Sequence, residues 1–113
     1  MTVEALRSIL QSRFSVGIEV THFEQKTSEI DPKTKQTWRD HLRDMVARRL
    51  AGAEERGVDS NVITESKSLL KHLNTMRPEN ALYSFAASSK ETHFAGWAID
   101  NTVVFCIQDT AER

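Results

Sequence analysis

The side chains best suited to covalent chemistry are the single cysteine, Cys106, and the histidine nearest to it in the predicted strands, His93. Strand alternation places Cys106 diagonally across from His93 on one face of a hairpin, where an imidazole can activate a thiol. However, Cys106 lies inside the apolar run VVFCI, and a free cysteine in such a strand packs as a small hydrophobic residue. We therefore interpret Cys106 as structural and expect no catalytic residues. A small enzyme that uses His93 with Cys106 is the least favoured of three functions.

Metal and cofactor sites are not indicated by the sequence. The four histidines fall in different predicted elements, and the two-cysteine spacing of zinc sites is absent. They are His22, His41, His72 and His93. The four glycines never cluster into a phosphate-binding loop. We therefore expect no metal and no cofactor.

One arginine stands out within the predicted second helix. At 100° per residue, Arg49 points into the apolar stripe of Trp38, Leu42, Met45 and Val46, where an isolated buried charge is costly. A snorkelling side chain or an ion pair is the simpler explanation, and a ligand-binding arginine is the alternative.

Length and charge describe an ordinary globular chain. The protein has 113 residues, a formal charge of -1 and a pI near 6.4, which predicts one domain over residues 1–113 and no global attraction to phosphate. No apolar run approaches the roughly 20 residues that span a bilayer, and Glu4 stands where a signal peptide carries positive charge. With one cysteine and no internal disulfide, we expect a cytoplasmic protein.

Hydrophobic spacing predicts a helix over residues 2–14, a strand over 16–24, and two further helices. After them, apolar residues recur at every second position, which is typical of strands. Asp31 and Pro32 are typical of a helix start, and Gly57 of its end, which gives a second helix of about 25 residues. A third helix runs from Asp59 or Ser60 to Met76 and is stopped by Pro78. The first strand alternates, so that Val16, Ile18, Val20 and His22 face one way and Glu19, Thr21 and Phe23 the other.

The pattern of residues 81–108 predicts three consecutive strands with apolar side chains on both faces. A two-residue turn at Asp100 and Asn101 sets the register, and Trp97 then faces Val104 while Ala95 faces Cys106. On this register one face carries Tyr83, Phe85, Phe94, Ala98, Val103, Phe105 and Ile107. The predicted fold is a single α+β domain with element order αβααβββ, in which a C-terminal antiparallel meander packs its aromatic face on helices.

The other face carries Trp97 and needs a cover, which its own helices, a second copy or a partner can supply. We predict an interface there, formed by Leu82, Trp97, Ile99 and Val104, because exposed apolar patches and tryptophan mark binding surfaces. The favoured function is a non-enzymatic protein–protein interaction module of adaptor, inhibitor or regulatory type that self-associates through this face.

The order helix, strand, helix, helix, hairpin resembles a winged helix-turn-helix domain. That resemblance implies a DNA-binding regulator whose third helix enters the major groove while the hairpin touches the backbone. The phosphate contacts would come from Lys67, Lys71 and Arg77 on the third helix and from Lys90 in the hairpin. The resemblance rests on element order and on no sequence motif.

Overall fold

The computed structural model describes residues 1–26, 33, 35–53, 55–57, 59–77, 79–90 and 92–110. It contains three helices and one four-stranded antiparallel sheet, in the predicted order αβααβββ. The elements are α1 (Val3–Phe14), β1 (Glu19–Gln25), α2 (Trp38–Ala51), α3 (Ser60–Thr75), β2 (Leu82–Ser89), β3 (Thr92–Ile99) and β4 (Thr102–Thr110).

The predicted first and third helices are confirmed, and each begins at a side-chain cap. The Thr2 hydroxyl accepts a hydrogen bond from the Ala5 amide at 3.1 Å, and the Asp59 carboxylate accepts one from the Asn61 amide at 2.7 Å. These caps satisfy amides that have no partner within the first turn of a helix. The predicted stop at Pro78 lies outside the described residues.

The second helix is shorter than predicted. It begins after Thr37, whose hydroxyl accepts a hydrogen bond from the Asp40 amide at 3.2 Å, and it ends at Ala51. The predicted start at Asp31 and Pro32 lies outside the described residues. Arg49 is exposed near the end of this helix, so the isolated buried charge that the spacing suggested is not present.

The sheet order is β1-β2-β3-β4, with every neighbouring pair antiparallel. In β1 the extra residue Thr21 forms a bulge, since Val20 pairs with Ala87 while His22 pairs with Ala86. A bulge shifts the alternation by one residue. Val20 and Phe23 therefore share one face, which corrects the predicted faces of this strand.

A second bulge lies in β4. The predicted turn at Asp100 and Asn101 is present, but Val104 is an extra residue, so that Trp97 pairs with Phe105 and Gly96 pairs with Cys106. The predicted pairs of Trp97 with Val104 and of Ala95 with Cys106 were therefore wrong. Beyond the bulge, Phe105 and Cys106 exchange faces relative to the prediction.

Gly96 is required where the second bulge brings two strands together. A Cβ atom at this position would lie 2.0 Å from the carbonyl oxygen of Phe105 and 2.6 Å from the ring of Phe85. Only glycine leaves space for so close an approach of the backbone.

The helices lie on both sides of the sheet, which gives three layers. We call the side that carries Leu82, Trp97 and Ile99 the first face and the side that carries Phe85, Phe94 and Cys106 the second face. The first face forms a core with α2 and α3 through Leu42, Val46, Leu69, Leu73 and Met76. The second face forms a core with α1 through Leu6 and Leu10. The predicted packing of the meander on helices is confirmed, and helices cover both faces rather than the aromatic face alone.

Candidate interaction surface

The four residues predicted as a partner interface lie under the helices of the chain itself. Leu82, Ile99 and Val104 are 0%, 8% and 2% exposed, and they pack in the same core as α2 and α3. Trp97 is half-buried at the margin of this core. The expectation that a partner must cover these four residues is corrected, because α2 and α3 already supply the cover.

The helices α2 and α3 do not cover the whole of the first face. Beyond Trp97, register also places on this face Ile107 of β4, which packs against the core, and Glu19 and Glu24 of β1. It places there six further side chains that are all partly or fully exposed: His22, Ser84, Ala86, Ser88, His93 and Ala95. We call this set the open half. It consists of small side chains along the two central strands, with His22 on the neighbouring strand β1 and His93 near the start of β3, and Trp97 lies at its boundary with the core.

Polar contacts connect the open half to the start of α2. The His22 Nε2 atom lies 3.3 Å from the Ser84 hydroxyl and 3.9 Å from a carboxylate oxygen of Glu24. Glu24 forms an ion pair with Lys26 at 2.6 Å, and this hydrogen bond lowers the pKa of its carboxyl group below the ordinary value. The Lys26 ammonium in turn lies 4.6 Å from the centre of the Trp38 ring, within the range of a cation–π contact.

The side of α2 near these contacts carries a second stripe beside the buried one, and its first residue, Trp38, also packs against the first-face core. Trp38, His41, Met45 and Arg48 follow helical spacing along one side of the helix. The Trp38 and His41 rings form an edge-on pair with centroids 5.6 Å apart, and Met45 is 39% exposed. We call these four residues the outer stripe of α2. Trp, Met and Arg are enriched in protein interfaces, so the composition of this stripe is typical of a binding surface.

The charge of the chain is divided unevenly along the sequence. Residues 33–77, which contain α2 and α3, hold ten lysines and arginines against six aspartates and glutamates, a formal charge of +4. The remaining residues hold five against ten, a formal charge of -5. A net charge of -1 therefore conceals a positive segment that contains α2 and α3, and its field extends over distances comparable to the Debye length.

The structure does not bring Cys106 and His93 together. Cys106 lies on the second face and His93 on the first, so the sheet separates them. Ser84 and Glu24 both approach the same nitrogen of His22, whereas a triad needs the carboxylate on the other ring nitrogen. β2 pairs on both sides, so its amides are used in the sheet and are not available to stabilise an oxyanion.

The predicted DNA-contacting residues are only partly brought together. Lys67 and Lys71 lie one turn apart on the exposed side of α3, and Arg77 follows the helix end. Arg77 precedes β2 and Lys90 follows it, so these two residues lie at opposite ends of the strand. The eight residues of β2 span about 26 Å. Eight residues separate α2 from α3, whereas a helix-turn-helix uses about three or four, and α1 packs on the other side of the sheet. The resemblance to a winged helix therefore covers element order and not spatial arrangement.

A cleft of about 330 Å³ borders the free edge of β4, between the end of α1 and the start of α3. Glu65 spans this edge. One oxygen of its carboxylate accepts a hydrogen bond from the Cys106 amide at 2.8 Å, and the other forms an ion pair with Arg13 at 3.3 Å. An edge strand presents unpaired amides, and Glu65 satisfies one of them while it links α1, β4 and α3.

Comparison with known proteins identified no matching family model, no matching curated protein and no matching solved structure. The helices in the described ranges are too short or too polar to span a bilayer. Within the same ranges, no cluster of three or more histidines, cysteines, aspartates or glutamates is arranged to hold a metal ion.

Proposed function

We propose that this protein is a non-enzymatic protein–protein interaction module, and that its partner binds to the open half together with the outer stripe of α2. The observation that carries the proposal is that α2 and α3 leave six side chains of the first face partly or fully exposed on β1, β2 and β3. The outer stripe of α2 adds a second surface with the composition of an interface.

The surface combines the parts that a protein interface needs. Trp97, Trp38 and Met45 supply apolar side chains, and the small residues Ala86 and Ala95 leave room above the central strands. Polar groups of His22, Ser84 and Glu24 line the rim. An apolar centre with a polar rim is the usual anatomy of such surfaces.

Site-specific photo-cross-linking tests the proposal. A photoreactive phenylalanine at position 95, on the open half, should form discrete protein adducts in an extract of the source cells. The same group at position 12, an exposed position on α1 at the other side of the sheet, is the matched control and should form none of these adducts. Equal adducts from both positions, or none from position 95, would reject the proposed surface.

DNA binding through α3 is the second candidate function. It is favoured by Lys67, Lys71 and Arg77, which are exposed and have no ion pair with any described residue. We rank it below protein binding because the geometry of the two helices differs from a helix-turn-helix and because Lys90 is remote from Arg77.

A further inference from the structure

We propose that the occupant of the open half is an acidic amphipathic helix of another protein. This inference rests on the proposed function and specifies the chemistry of the partner. Charge, apolar composition and backbone geometry each contribute one step to it.

The charge argument comes from the end of α2. Near its start, Arg39 and Arg43 both contact the carboxylate of Asp40, at 3.3 and 3.4 Å. Arg48 and Arg49, in the last turn, have no carboxylate partner within the described part of the chain, and the Arg48 Nε donates to the backbone oxygen of Asp44. Both arginines also stabilise the negative end of the helix dipole, but their outer N–H groups remain available. A carboxylate-rich partner complements them, because arginine binds carboxylates with two parallel hydrogen bonds.

The apolar argument comes from Met45 on α2 and Trp97 on the sheet. Met45 is exposed one turn before Arg48 and Arg49, and Trp97 is half-buried on the first face. An occupant must therefore be apolar toward the sheet and acidic toward α2. This two-sided pattern is typical of an amphipathic helix lying in a groove.

Backbone geometry favours a helix over an added strand. The open half is a sheet face whose central strands already pair on both sides, so their backbone groups cannot bind an extended peptide. Helices pack on sheets at roughly 10 Å, and the small side chains of Ala86 and Ala95 permit that approach.

The test measures fluorescence anisotropy of a labelled synthetic peptide of glutamate and leucine with leucines at helical spacing. A length of about 16 residues is sufficient for partial helicity. A second peptide, with lysine in place of every glutamate, controls for apolar binding. We expect the full-length protein to bind the glutamate peptide and not the lysine peptide.

Two double variants with the same change in net charge locate the site. Arg48→Glu with Arg49→Glu should weaken the glutamate peptide at least about tenfold, because two charge-assisted contacts are lost. Lys67→Glu with Lys71→Glu, on the exposed side of α3, should change the affinity by less than about twofold, since distant exposed charges are screened by salt.

The inference would be overturned by equal weakening of binding in both double variants, by binding of the lysine peptide, or by absence of binding of the glutamate peptide. If the free protein in that last case has the mass of two chains, a second copy is the occupant. If the cross-link at position 95 captures a protein and neither peptide binds, the interaction module stands and the acidic helix is wrong.

Discussion

Cys106 shows how burial decides the chemistry of a single residue. It is 6% exposed on the second face, and burial raises the pKa of its thiol to about 11 from an ordinary value of 9.0. Almost no thiolate is present at neutral pH, and the thiolate is the reactive form. We predict that a thiol reagent labels the folded protein much more slowly than the urea-unfolded protein at pH 7.5, as measured by mass spectrometry.

The same shift predicts how stability changes with pH. The folded state holds the thiol proton more tightly, so the unfolded chain releases it first above pH 9.0. The contribution to the free energy of unfolding is therefore fully present below pH 9.0 and is lost as the pH rises toward 11. Relative to Cys106→Ala, the wild-type chain should lose stability across this range. An unchanged difference between the two proteins would show that the thiol is not protected.

For single residues, the sequence indicated the environment of a side chain better than it indicated which residues that side chain contacts. It indicated correctly that Cys106 is a packed hydrophobic residue, because the apolar run around it is local information. It did not indicate the contact of His22 with Ser84 or that of Glu65 with Cys106, which join residues 62 and 41 positions apart. Such pairs depend on register, and one extra residue in each bulged strand changes the face of every residue beyond it.

Glu65 ties three elements together at the free edge of β4. Glu65→Ala should lower the free energy of unfolding by about 1 to 3 kcal/mol, because the buried Cys106 amide loses its acceptor. Urea denaturation measures the change.

Glu65→Gln is the matched control. It keeps an oxygen that accepts from the Cys106 amide and removes only the partly exposed ion pair with Arg13, which is worth less than about 1 kcal/mol. Equal losses in the two variants would show that the ion pair, and not the amide acceptor, matters.

The exposed cations of α3 give a prediction that separates the two candidate functions. If α3 bound DNA through Lys67, Lys71 and Arg77, the slope of log affinity against log salt would be about -3, and replacing all three by glutamine would flatten it. We expect no such binding at physiological salt, and we expect the triple variant to retain its cross-linked partner. Nanomolar DNA binding that is lost in the triple variant would show that the second candidate is correct.

Element boundaries were predictable where a cap or a turn is encoded locally. Thr2, Asp59 and the turn at Asp100 and Asn101 all have the predicted roles. The second helix was predicted to run on to a cap at Gly57, although it ends at Ala51 with Gly52 as its cap. Local spacing indicates the apolar side of this helix but does not show which positions on that side the rest of the fold covers, so the exposure of Met45 and Arg49 was not predictable.

For the whole molecule, the two apolar faces of the meander were predictable, but the helices that pack on each face were not. Both faces attract apolar partners with similar energy per unit area, so composition alone does not assign α1 to one side and α2 with α3 to the other. The division of charge along the sequence can be found by counting each predicted segment separately. The overall charge of -1 conceals it.

The most direct test of the central claim, that the open half binds a protein partner, compares two substitutions that introduce the same side chain. Ala95→Arg places a long charged group on the open half, and Ser12→Arg places it on the exposed side of α1. Both variants should keep the circular dichroism spectrum of the wild type, since both positions are exposed. The affinity for the partner captured from position 95, measured by calorimetry, should fall at least about tenfold in Ala95→Arg and remain unchanged in Ser12→Arg. Wild-type affinity in Ala95→Arg would contradict the account.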